Sequence, residues 1–196
     1  MIDEVPPSIL LCQLGFKYWH VSENVIQEML KTGNIHTVTG TEEISNELYD
    51  QTTRWSDFNV AIPVLFNFYH GIELNLKGLI SAGGGDVPKT HRLTDLYELL
   101  KQHCDKAEIL SFFHTHLHVD TQPDILRSFY DTNSISPDDY YIALKYPYAK
   151  EGENYIFFPL RYNEEAGCEL FSGLRESTLG IRSPIVQFVR ERANAA

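Results

Sequence analysis

His70, Glu73 and Lys77 fall at i, i+3 and i+7, so on a helix they share one face, and Glu73 stands N-terminal to Lys77 in the order that favours an acid–base side-chain pair. In a helical bundle such a strip can contact a phosphate or a base, because bundles build their sites from side chains on facing helices. Its bland alternative is an intrahelical ion pair beside a core histidine. His91 and Arg92 open the next helical stretch and can face the same strip. There a histidine can carry a proton near neutral pH, and Arg92 or Lys77 can hold developing negative charge. His91 is equally suited to pinning the preceding loop by a hydrogen bond.

Three further histidines, His114, His116 and His118, raise the question of a metal. On a strand all three would share a face, whereas on a helix only His114 and His118 do. Zinc and related ions draw ligands from separate elements with carboxylate or thiolate support, and beyond Asp120 no second cluster is visible, so a solvated histidine-rich helix end is the simpler reading. The run 83–90 has glycines followed by Lys89 and Thr90, like a phosphate-gripping loop. It fails that test because Pro88 stands where a glycine is required and a helix, not a strand, precedes it. No nucleophile elbow surrounds any serine, and no cofactor motif is recognised. Tyr and Phe are dense over 140–162, which suits base stacking or, more simply, core and dimer packing.

The elements that must position these groups read as helices. An apolar lead spans 8–19, Ser22 can cap a helix carrying Val25, Ile26, Met29 and Leu30, and Gly33 stops it. Thr39 and Glu42 have capping-box spacing for a second helix with Ile44, Leu48 and Trp55. The period resumes after Pro63, which either kinks or divides the stretch, through Leu65, Ile72, Leu76 and Leu79. The glycine run at 83–85 stops this helix and Thr90 can cap the next, built on Leu93, Leu96 and Leu100, giving two antiparallel helices joined by a tight loop. Residues 105–118 read as helix, with 112–118 also compatible with a strand, and Pro123 opens a short helix to Tyr130. Aromatic runs at 140–148 and 154–162 read as a small hairpin. Helices return over 163–176 and from a Ser183 cap with Pro184 at the first position to Arg192.

Composition bounds the partners. With 43% hydrophobic residues the chain can fill one core over residues 1–196, and 27 acidic against 16 basic residues leave a net charge of −11. That charge opposes bulk electrostatic binding of DNA or RNA, so any nucleic-acid site must be local. Cys12, Cys104 and Cys168 are too scattered for a disulfide framework or a paired-cysteine metal site. Asp3, Glu4, Pro6 and Pro7 stand where a secretory leader would be basic and then apolar, and no apolar run approaches the roughly 20 residues of a membrane span. A cytoplasmic protein without membrane contact is expected.

Taken together, Ile62-Pro63, Leu65-Phe66, His70-Gly71-Ile72-Glu73-Leu74, Leu76-Lys77-Gly78-Leu79, the glycine loop and Lys89-Thr90-His91-Arg92-Leu93 resemble the central helix pair of the HEPN superfamily. Leu144-Lys145-Tyr146-Pro147 is similar to the leucine-arginine-tyrosine-proline step that often follows there, with Lys145 in place of the arginine. The resemblance covers residues 60–147. It implies an up-and-down helical bundle, often a symmetric dimer, used for nucleotide or RNA chemistry and frequently found in defence and toxin–antitoxin systems. Members active as endoribonucleases carry an arginine followed a few positions later by a histidine, and here that motif is absent. Arg54 and Arg92 both lie too far ahead of the next histidine, and none follows His118. Losing that histidine removes the natural acid/base for attack by a 2′-hydroxyl.

The expectation is therefore mainly α: a HEPN-like up-and-down bundle with a small β-hairpin near 140–162. Within one domain, residues 1–38 form an N-terminal embellishment, 39–132 the helical core and 163–193 the C-terminal helices. The expected function is a homodimeric, non-catalytic or weakly catalytic nucleotide- or RNA-binding or regulatory module, with His70, Glu73, Lys77, His91 and Arg92 as its ligand-binding candidates. A metal-independent endoribonuclease with a displaced histidine and a protein-interaction scaffold are the alternatives.

Overall fold

Helical periodicity governs nearly the whole chain, and in the computed structural model, which describes residues 5–38, 44–149 and 152–194, it runs through most of the punctuation. Helix α1 (Pro7–Thr32) is continuous from the apolar lead to the glycine stop. Ser22 is therefore not a cap. Its buried hydroxyl donates to the Val64 carbonyl at 3.0 Å, four helical residues before the Trp19 indole's own acceptor, the Phe68 carbonyl, also at 3.0 Å. Gly33 does end the helix, with φ 74° in the left-handed region. The capping pair Thr39 and Glu42 lies outside the described residues. Helix α2 (Asn46–Thr53) begins instead after Ser45, whose hydroxyl accepts from the Leu48 amide.

Helix α3 (Asp57–Ala82) passes through Pro63 undivided and is the spine of the molecule, with every residue from Gly71 to Ile80 buried. Asp57, fully buried at its start, accepts from the Tyr162 and Asn163 amides at 2.8 and 2.7 Å and from Asn34 Nδ2, which joins the ends of α1, α3 and the C-terminal helix in one knot. Helix α1 lies antiparallel along α3, close enough that a Cβ on Gly71 would sit 2.4 Å from the Trp19 ring and one on Gly15 would sit 3.0 Å from the Gly71 carbonyl. The segment expected as an embellishment thus supplies Cys12, Trp19, Ile26 and Met29 to the same core as α3.

Helix α4 (Leu93–His103) packs on α3 but is not antiparallel to it. His91, just before α4, touches Glu73, while His103 at its end meets Gly83 and Gly85, so the loop over 83–92 doubles back along α3 and the two helices run in the same direction. The glycines allow this return because a Cβ on Gly83 would collide with the His103 carbonyl at 2.3 Å. Helix α5 (Ala107–Leu117) settles the 112–118 ambiguity as helix and returns past Trp19 and Phe68 through Phe112 and His116. Helix α6 (Asp124–Asn133) follows Pro123.

Among the described residues the expected hairpin is not seen. Residues Tyr140–Ala143 make a short helix, α7, Phe158–Leu160 make a 3₁₀ turn, and among the described residues the two aromatic runs meet in an isolated bridge, Tyr148 to Asn154, and a backbone bond from Tyr155 to Pro147 rather than in a ladder. Tyr140 is buried and Phe157 stacks on Phe129, while Tyr146, Tyr148 and Phe158 are exposed, so the runs do not alternate between one buried and one open face as a ladder requires. The two expected C-terminal helices are one, α8 (Glu164–Ala193), which continues through Pro184 because Ile181, Ile185, Phe188 and Val189 keep a buried stripe across it. Among the described residues no helix is long and apolar enough to cross a membrane.

Candidate functional site

Glu73 lies midway along α3, 2% exposed, where a carboxylate must be matched by donors. Lys77 Nζ, one turn on, reaches its Oε1 at 2.8 Å. His91 Nδ1 reaches the same oxygen at 2.8 Å from the doubled-back loop, and the Tyr140 hydroxyl donates to Oε2 at 2.7 Å from α7. An ionised carboxylate only accepts, so His91 Nδ1 carries the proton and Nε2 is left facing away. His70 Nδ1 stands 3.8 Å from Oε2, too far for a hydrogen bond, and its ring is held edge-on by Tyr18 and flat against Phe66. Burial alone would raise the Glu73 pKa. The neighbouring His70 imidazole, the Lys77 ammonium and the Tyr140 hydroxyl outweigh it and bring the pKa down to about 2, while burial and the Glu73 charge push that of the Tyr140 hydroxyl far up.

Four of the five candidates thus meet on one carboxylate. Arg92 does not: its guanidinium pairs with Asp138 at 3.2 Å and with Asp95 at 3.4 Å. Asp138 also accepts from the Thr94 amide at 2.8 Å, which caps the start of α4 and ties it to the turn before α7. The outer edge of the cluster is aromatic and cationic. The His91 side chain, 63% exposed, stacks on Tyr141 with centroids 5.5 Å apart, and Lys145 sits 4.6 Å over the same ring with Nζ 3.0 Å from its hydroxyl.

Sequence spacing does not single out Tyr140 and Tyr141. The aromatic density over 140–162 includes them without distinguishing them, and the Leu144-Lys145-Tyr146-Pro147 step places Lys145 but not the tyrosines that bridge it to Glu73.

The three histidines of α5 divide as a helix requires. His114 and His118 stack with centroids 4.1 Å apart beside Tyr97, while His116 turns inward against Phe68 and Phe112. Among the described residues no group of three or more His, Cys, Asp or Glu side chains is arranged to hold a metal ion.

A family model described as the HEPN domain matches residues 63–167, just over half the chain, from the second turn of α3 into the first turn of α8. The match contains Glu73 and all the side chains that bond it. No curated protein and no solved structure matches the chain.

Proposed function

The chain belongs to the HEPN family, and on that premise we propose that it is a nucleotide- or RNA-binding regulatory module with little or no cleavage of its own, working as a homodimer. The ligand face we assign is the strip of His91, Arg92, Tyr141 and Lys145 over the Glu73 cluster, with His70 and Lys77 as supports. The observation that carries this reading is the fate of the cations. Lys77 is spent on Glu73 and Arg92 on Asp138 and Asp95, so neither is free to hold the charge of a phosphorane. Among the described residues, the exposed His91 ring, stacked on Tyr141, and the exposed Lys145 ammonium have no carboxylate on their outer side, which suits stacking on a base and contact with a phosphate.

One observation favours the endoribonuclease alternative. Glu73 orients His91 through Nδ1 and leaves Nε2 outward, which is how a carboxylate prepares an imidazole as general base. Purified protein incubated with mixed-sequence RNA in chelator separates the two. We expect intact RNA, retained on the protein and released by the Lys145→Ala and Tyr141→Ala changes. Cleavage abolished by His91→Ala or His70→Ala would establish the nuclease instead. Failure of RNA and of nucleotides alike to raise the melting temperature would leave a protein-interaction scaffold. Sedimentation equilibrium tests the dimer.

A further inference from the structure

A cavity of ≈ 540 Å³ opens between α5, α6 and α8, within the range of small-molecule sites and sharing no residue with the Glu73 cluster. Its wall is mostly apolar, from Ile125, Leu170 and Leu174, and Gly173 forms an open stretch of α8 where a Cβ would meet nothing within 4 Å. His116 lines it at 9% exposure. Its other neighbours are the rings of Phe68 and Phe112, and among the described residues its nitrogens have no hydrogen-bond partner. Burial alone lowers its pKa, to about 4, so the imidazole is neutral at physiological pH and presents one bare acceptor nitrogen and one N–H. With no protein partner, these nitrogens are open to the cavity, where a ligand group can take the place of water.

The charges at the cavity select which ligand. Asp124 is occupied by Arg127, which leaves Glu169 as the uncommitted carboxylate on the lining, and no Lys or Arg side chain faces it there. Asp124, Glu169 and the one cation beside them, Arg127, leave the rim net negative, which disfavours a carboxylate or phosphate ligand, whereas a neutral imidazole tolerates a nearby cation. We propose that this cavity binds a small organic cation, with its ammonium on Glu169, its apolar body between Ile125, Leu170 and Leu174, and an inner N–H donated to His116.

Three indole compounds of similar shape test this on the full chain: tryptamine, its alcohol analogue tryptophol and the anionic indolepropionate. Tryptamine should raise the melting temperature by a few °C at concentrations well above its Kd and move the His116 ring proton resonances, with tryptophol weaker and indolepropionate inert. Gly173→Leu fills the cavity while improving helix propensity, so this variant folds and should lose the tryptamine shift. Glu169→Gln should remove the preference for tryptamine over tryptophol. The assignment is overturned if none of the three compounds shifts the melting temperature, if all three do so equally, or if the tryptamine shift survives in Gly173→Leu.

Discussion

At the scale of residues, Glu73 is the group on which most depends. Its pKa stands near 4.5 in the unfolded chain and about 2 in the fold, so the folded state binds its proton less readily. The stability this confers is present in full above about pH 4.5 and is lost as the pH falls through about 2. Tyr140→Phe removes a hydroxyl bonded to the charged carboxylate without changing the ring's packing. It should destabilise the protein by about 1.5–3 kcal/mol at neutral pH and move the onset of acid unfolding upward. Urea titrations at pH 7 and at pH 3 check both parts, and an equal loss at the two values would mean that the hydroxyl's contribution does not depend on the Glu73 charge. The Glu73–Lys77 pair is legible in the sequence because helical spacing is a local rule. Tyr140 is not, because it arrives from 67 residues away and no spacing reports such a contact.

Between elements, the closest seam is that of α1 on α3, where Gly15, Gly71 and Gly78 each stand where a Cβ would collide with the other helix. Gly71→Ala has two fixed obstacles, the Trp19 ring at 2.4 Å and the Gly15 carbonyl at 3.0 Å, and Trp19 cannot swing aside because its indole bonds the Phe68 carbonyl. Overpacking here should cost about 1–3 kcal/mol despite alanine's better helix propensity, read as a lower urea midpoint. Gly180→Ala, on a face of α8 where a Cβ meets nothing within 4 Å, should be neutral or stabilising and serves as the control. This seam also explains the misread punctuation. Ser22, and Ser183 with Pro184, have the chemistry of helix starts, yet each lies on a helix whose buried stripe continues through it. Burial of several large side chains outweighs one cap or one missing hydrogen bond. The direction of α4 was hidden for a different reason, since the loop over 83–92 is long enough either to turn back or to retrace α3, and only the His91 to Glu73 and His103 to Gly83 contacts decide it.

Across the whole molecule, a net charge of −11 surrounds a strip in which Lys145 is the cation without a carboxylate partner among the described residues, since Arg92 is held by Asp138 and Asp95. The binding face assigned to that strip therefore makes a quantitative demand. Each phosphate neutralised on a single strand contributes about −0.7 to the slope of log affinity against log salt, so one contact at Lys145, or two with His91, gives a slope of roughly −0.7 to −1.4. Stacking on Tyr141 adds affinity without adding to the slope, because it displaces no counterion. Fluorescence anisotropy of a labelled single-stranded RNA across a salt series should return this shallow dependence, with Lys145→Ala reducing its magnitude by about 0.7 and Tyr141→Ala lowering affinity at every salt without changing it. A slope steeper than about −4 would require more cations than the strip possesses. RNA would then be held elsewhere, by basic residues gathered from two copies of the chain, and the Glu73 cluster would be a brace for α3, α4 and α7 with no ligand of its own.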